Sequence, residues 1–217
     1  MSDLQRQVIE FHKVFDHPTA PRPIIPADNR IRFRLNLITE EFFEILHACL
    51  GSRSELDIAK RLIGDAIGSK NLRVDLAELA DGLGDLDYVV EGTRLEFGIE
   101  GGSIAEEIHR ANMAKVECED CLGKGTHAPA GHPTPAPCGP CKGTGKVLKK
   151  RADGKTLKPK QWTPPDIEGV LARQTAEPTW SLANVLGELT AAAEPDVNCV
   201  STPDGGCIGG PCMHDPK

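Results

Sequence analysis

The sequence predicts an all-α fold, a helical bundle carrying a small cysteine-rich insertion, and three observations support this. Apolar residues recur at three- and four-residue steps through most of the first 117 positions. Aromatic residues make up only 4% of a chain that is 39% hydrophobic, and Leu, Ala and Glu are frequent, which favours helices over sandwiches or barrels. From Cys118 to Gly145 the periodicity stops, 11 of 28 residues are Gly or Pro, and four cysteines appear. A length of 217 residues allows one or two domains.

Residues 3–15 place Leu4, Val8, Phe11 and Phe15 on one helical face. The segment His17 to Pro26 holds four prolines and cannot continue that helix, because each proline lacks an N–H and restricts its predecessor. A second helix is expected over 30–50, capped by Asp28 or Asn29, with Ile31, Leu35, Ile38, Phe42, Leu46 and Leu50 in step and Gly51 as its stop. The third follows Ser54 as cap and runs to Gly68. Leu72, Leu76, Leu79, Leu83, Leu86 and Val90 alternate steps of four and three, the seam of a bundle helix that Gly98 closes. Ser103 is the expected cap of a fifth helix reaching Val116, and short helices are expected over Trp162–Gln174 and Trp180–Ala193. Cys49 reads as a core residue, and His12 and His109 as helix residues without obvious partners.

The net charge of −7 lies entirely in residues 1–117, which hold 14 basic against 21 acidic side chains. Lys142 to Lys160 nevertheless carries eight basic residues against Asp153 alone, either a solvated linker or an anion-binding arm. No apolar run approaches the ~20 residues of a membrane span, and the first residues lack a signal peptide's basic and apolar parts. A cytoplasmic protein with reduced thiols is therefore expected.

Helix two contains Glu40, Glu41 and Glu44 and helix four contains Glu78, Asp81 and Asp85, each set on one side of its helix. Carboxylates gathered on adjacent helices repel unless they stay in water or share a cation, and Mg²⁺, which takes oxygen ligands and shares them with phosphates, is the fitting one. Two solvated helix faces are the plain alternative.

Leu37 to Leu46 with Glu78-Leu79-Ala80-Asp81 resembles the EExxE and ExxD pair of the MazG-like, all-α nucleoside triphosphate pyrophosphohydrolases. Asp81 to Thr93, Asn112-Met113-Ala114-Lys115, Asp153 to Lys158 and Pro164-Pro165-Asp166 resemble further segments of that family, in order, closest to its phage and bacterial branch near phosphoribosyl-ATP pyrophosphohydrolase. The resemblance implies a helical bundle assembled as a homodimer or homotetramer. It implies Glu41, Glu44, Glu78 and Asp81 as Mg²⁺ (or Mn²⁺) ligands, Glu40 ligating or orienting the attacking water, and Asp85 in an outer position. It further implies that Asn112, Lys115, Lys155 and Lys158 bind the substrate phosphates. The chain departs from the family's pattern in a long Glu44-to-Glu78 interval and in the insert between the Asn112-Lys115 and Asp153-Lys158 segments.

Cys118-x-x-Cys121 and Cys138-x-x-Cys141 are 16 residues apart, within the spacing of a four-thiolate zinc site; a disulfide pair or free thiols are the alternatives. Each pair continues as C-x-x-C-x-G-x-G, which resembles the zinc-binding repeats of DnaJ-type chaperones. With no core of its own, the insert would draw its folding free energy from a structural Zn²⁺. Cys199, Cys207, Cys212 and His214 form a weaker candidate for a second zinc site. The expected organisation is a catalytic domain over 1–117, a zinc knuckle over 118–148, a basic return segment over 149–175 and a C-terminal extension over 176–217. The expected function is Mg-dependent (d)NTP pyrophosphohydrolysis for nucleotide-pool editing. The alternatives are phosphoribosyl-ATP hydrolysis and a zinc-knuckle nucleic-acid binder, the latter disfavoured by the net negative charge.

Overall fold

A computed structural model describes residues 1–69, 71–127 and 135–176, together with the backbone of residues 200–201 and 207–208. The element order is α1 (Asp3–Val14), α2 (Asp28–Leu50), α3 (Ser54–Ser69), α4 (Leu76–Phe97), α5 (Gly101–Met113), a 3-10 turn (Ala114–Val116), β1 (Thr126–His127), β2 (Ala136–Pro137), α6 (Ile167–Ala176), β3 (Val200–Ser201) and β4 (Cys207–Ile208). The chain divides into two units, Met1–Ile167 and Glu168–Lys217. In the second, β3 and β4 pair antiparallel, Val200 with Ile208 and Ser201 with Cys207. The expected helix over Trp180–Ala193 and the side chains of Cys199, Cys207, Cys212 and His214 lie outside the described residues.

Helix ends follow the backbone's need for partners at its first N–H groups, and here the sequence expectations need correction. Ser2 caps α1, its hydroxyl accepting from the Gln5 amide at 3.2 Å. α2 starts from Ala27, with no side-chain cap, and Asp28 lies inside the first turn, where its charge favours the positive helix end. Leu72 falls outside α4 because Asp75 sets its start, one carboxylate oxygen accepting from the Ala77 and Glu78 amides at 3.0 and 3.2 Å. Glu100, not Ser103, caps α5 and accepts from both the amide and the hydroxyl of Ser103. Gly51 and Gly98 end α2 and α4 at φ 74° and 69°, as their positions suggested. Pro164-Pro165 delays α6 to Ile167.

α2 packs on α3, and α1 on α5. Phe15, Phe43, Ala111 and Val116 are buried, Phe15 completely and with the Phe11 ring 4.3 Å from its own. α4 buries no residue: Leu79, Leu83 and Leu86 remain 39–43% exposed. On α2, Ile38, Phe42 and Ile45 are exposed, and so is Cys49, which follows Ile45 by one turn and was expected in the core; α3 covers the other side. His12 and His109 do have partners, the Pro18 carbonyl at 3.0 Å and the Glu10 carboxylate at 3.3 Å.

With so little packing along it, α4 depends on its cap. Asp75→Ala is expected to cost about 1 kcal/mol in urea unfolding, and Asp75→Asn, which can still accept from the same amides, much less. Equal losses for the two substitutions would show that the cap does not carry the effect.

Candidate active site and metal knuckle

The four thiols Cys118, Cys121, Cys138 and Cys141 are buried, and their sulfurs all lie within 4.8 Å of one another. Cys118 and Cys138 sulfurs are 3.8 Å apart and those of Cys121 and Cys141 3.7 Å. Four sulfurs placed about 2.3 Å from a common centre form a tetrahedron with edges of about 3.8 Å, so the cluster has the dimensions of a closed thiolate metal site. A disulfide would need about 2.05 Å, and all four thiols are free.

The glycines of the repeated motif explain how two short turns achieve this. Gly125 and Gly145 donate their amides to the sulfurs of Cys121 and Cys141 at 3.2 and 3.3 Å, which favours charge on those sulfurs. Both have positive φ, 77° and 74°, and a Cβ on either would run into a backbone carbonyl of the opposite turn, that of Gly143 or Gly123. The Cys118 amide donates to the Gly145 carbonyl and the Cys138 amide to the Gly125 carbonyl, both at 2.8 Å. Each turn thus closes the other, and the β1–β2 pair, Thr126 with Pro137 and His127 with Ala136, continues the contact.

The second site is built on α2. Arg30, Phe33, Asn36 and Glu40 follow one another at three- and four-residue steps, and line a cavity of about 400 Å³ with Arg151 and Lys155. The Arg30 guanidinium lies 4.8 Å from the centre of the Phe33 ring. Lys155 donates to both carboxylate oxygens of Glu40 at 2.7 Å, across 115 residues of sequence. That hydrogen bond holds the Glu40 carboxyl below its usual range despite partial burial. Beyond Lys155 a smaller cavity of about 150 Å³ is lined by Arg34, Glu41, Lys115, Lys155 and the rings of Phe11 and His17. Glu41 is pushed the other way, upward, by burial first and then by Glu44 and Glu40. Lys115 is pulled down by burial and by Lys158 and Lys155. Its ammonium donates to Asn112, and Lys158 stacks 4.0 Å over the Trp162 ring.

Of the residues singled out in the sequence, Glu40, Glu41, Asn112, Lys115, Lys155 and Lys158 are therefore gathered beside the middle of α2. Glu78, Asp81 and Asp85 are exposed on α4, and among the described residues only the cysteines form a group of three or more within reach of one metal ion. The two acidic stripes do not form such a group within a single chain, because α4 packs on none of the other helices as α3 does on α2. Arg30, Phe33, Arg34 and Trp162 were not anticipated. The spacing that puts Arg30, Phe33 and Asn36 on the stripe of Glu40 was a usable signal.

Residues 8–112 match the model of a family described as phosphoribosyl-ATP pyrophosphohydrolase. A crystal structure from Exiguobacterium sp. 255-15, provisionally described as an NTP pyrophosphohydrolase, is 27% identical and superposes with a TM-score of 0.52 over 81% of this chain and 98% of that chain. No curated protein matches the sequence. No helix among the described residues is long and apolar enough to cross a membrane. The family match stops at Asn112, six residues before the first cysteine of the knuckle.

Gly145→Ala is expected to open the knuckle, since the added Cβ meets strain and backbone together; a cost of roughly 2 kcal/mol or more follows. Gly139→Ala, whose Cβ meets nothing within 4 Å, is the control. The measurement, on chains whose other four cysteines (Cys49, Cys199, Cys207 and Cys212) are replaced by serine, is the rate at which a chromogenic thiol reagent titrates the knuckle cysteines, and equal rates in the two variants would contradict the packing described.

Proposed function

We propose that this chain, whose helical region is that of a MazG-like, all-α pyrophosphohydrolase, hydrolyses a nucleoside or deoxynucleoside triphosphate to its monophosphate and pyrophosphate with Mg²⁺ or Mn²⁺. The observation that carries the reading is the meeting of opposite charges at α2: Glu40 and Glu41 lie beside Lys155 and Lys115, side chains from three separate parts of the chain. A triphosphate with its divalent ion needs both kinds of group together, oxygen ligands for the ion and ammonium groups for the phosphates.

Glu41 and Glu44 on α2, and Glu78 and Asp81 on α4, are the proposed ligands of the ion. Their donor set fits: all are carboxylates, Glu44, Glu78 and Asp81 exposed and Glu41 facing the smaller cavity, hard oxygen ligands that leave room for water and phosphate. When bound, the ion supplies charge neutralisation at the α-phosphate and an acidified water. Glu40, kept ionised by Lys155, orients a water for attack on the α-phosphorus. The new P–O bond forms there as the bond to the bridging oxygen breaks, the attacking water releases its proton to the surrounding water, and pyrophosphate leaves with the bridging oxygen. Lys115, Lys155 and Lys158, with Asn112, bind the phosphate oxygens and meet the charge that gathers on the leaving group.

A second copy of the chain completes this arrangement. It would cover the exposed leucines of α4 and the Ile38, Phe42 and Ile45 face of α2, and bring α4 carboxylates to α2 carboxylates. Covering the remaining two-fifths of Leu79, Leu83 and Leu86 alone is worth roughly 2–4 kcal/mol. We read the chain as a homodimer or homotetramer in the cytoplasm, its product chemistry suited to editing a nucleotide pool. The family description favours phosphoribosyl-ATP as the second candidate substrate, since it would use the same carboxylates.

Incubation with each (d)NTP and with phosphoribosyl-ATP, followed by a pyrophosphate assay, tests the reading, and release from none of them would end it. Glu41→Gln is expected to lower kcat by about 100-fold or more at saturating Mg²⁺; turnover near wild type would remove Glu41 from the site. The knuckle is proposed to bind one structural Zn²⁺, with no open position for substrate. Metal analysis should find about one zinc per chain, and Cys138→Ser should lower stability or substrate affinity more than maximal turnover. Zinc-free protein of full thermal stability would refute that assignment.

A further inference from the structure

Between the knuckle and α6 the chain makes a short hairpin whose two legs both stand on the knuckle. The outgoing leg is fixed by the Val147 amide on the Val116 carbonyl at 2.7 Å, and by Lys149, whose ammonium lies 3.1 Å from one carboxylate oxygen of Glu119. The returning leg is fixed by the Lys160 amide, 3.0 Å from the other oxygen of the same Glu119, and by the Gln161 amide group on the Cys118 carbonyl at 3.4 Å. Glu119 stands between Cys118 and Cys121 and is half-buried.

The legs are laced to each other above this base. The Leu157 amide donates to the Lys149 carbonyl at 2.9 Å, and the Arg151 amide to the Lys155 carbonyl at 2.8 Å. At the tip, Gly154 turns the chain at φ 92°, and Asp153 pairs with Arg151 while accepting from the Lys155 amide at 3.0 Å. This tip delivers Lys155 to Glu40. One further tie runs to the turn that follows α1, from the Lys150 ammonium to the Asp16 carbonyl at 2.9 Å.

We propose that Glu119 is a positioning residue, the single side chain that clamps both legs of the 147–161 hairpin to the cysteine knuckle and so sets Lys155 against the α2 carboxylates. The inference rests on the triphosphate reading above for its kinetic consequence, and on the hairpin geometry alone for its structural one. Among the described residues, Glu119 is the side chain that bonds both legs at their base, while the Glu40 pair and the Lys150 tie hold the hairpin on the helical side, and Trp162, just past the returning leg, donates to the Ala111 carbonyl. Removing the clamp loosens the phosphate-binding lysine and leaves the carboxylates of α2 in place.

The test uses the full chain with its metal. Glu119→Ala is expected to keep about one zinc per chain, to be cut by trypsin after Arg151 and Lys155 about ten times faster than wild type, and to lower kcat/KM about ten-fold, through both KM and kcat, because Lys155 serves the phosphates and Glu40 alike. Glu119→Asp, which keeps the charge, should recover part of both effects. Wild-type digestion with wild-type kcat/KM in Glu119→Ala would overturn the proposal. If Glu119→Ala loses its zinc, Lys149→Ala, which frees one leg only, decides: faster cutting at unchanged zinc content supports the clamp, and wild-type digestion overturns it. A wild-type protein that releases pyrophosphate from no triphosphate would end the proposed function, and the digestion arm would then decide the clamp by itself.

Discussion

The pair between Lys155 and Glu40 is the interaction on which the site depends. A helix face with Glu40, Glu41 and Glu44 on neighbouring positions repels itself, and the structure meets this by returning a remote basic segment to it. The consequence is a division of labour between adjacent carboxylates. Glu40 is held ionised by its lysine, whereas Glu41 is pushed up by burial and by its neighbours. Two residues next to each other on one helix thus differ in protonation tendency because one turns towards the hairpin and the other towards the smaller cavity.

The two candidate metal positions also differ, in donor and in access. The cysteines are buried, soft and complete in number, so a metal there has no vacant position and acts on folding. The carboxylates are hard oxygen donors open to water, Glu41 more sheltered than the rest, and they belong to two helices that do not pack closely on each other within one chain. Burial separates them as much as ligand chemistry does: the thiolates are already gathered by the two turns, whereas the α2 and α4 carboxylates are not gathered within one chain and the leucines of α4 stay exposed.

Local periodicity and motif spacing carried most of the legible information. Helix identity, the glycine stops at Gly51 and Gly98 and the grouping of four cysteines all depend on residues within a few positions of each other or on a repeated turn. Helix starts were less legible because several side chains compete for the same free amides: Glu100 reaches them before Ser103 can, and Asp75 fixes a start four residues after Leu72. The burial of Cys49 was misjudged because a helix of this kind has apolar residues on more sides than one chain covers. Long-range pairs such as Lys155 with Glu40 could be expected only through resemblance. Glu119 gave no signal at all, since an acid between two knuckle cysteines looks like any solvated loop residue.

The position of the insert explains how it can be tolerated between two segments that meet the same α2 carboxylates. Its ends are neighbours: Glu117 bridges to Lys146, and the Cys118 amide bonds to the Gly145 carbonyl. The intervening chain therefore leaves and returns at one place, and Val116 and Val147 are joined by a direct backbone hydrogen bond, as they would be if a tight turn connected them. Ordering such a loop is entropically unfavourable, but the cost rises only slowly with its length, and the four gathered thiols have the geometry for a metal that would offset it locally. Lys115 on one side and Lys155 on the other then keep their places at the same cavity, and the knuckle becomes the footing of the hairpin that carries the second lysine.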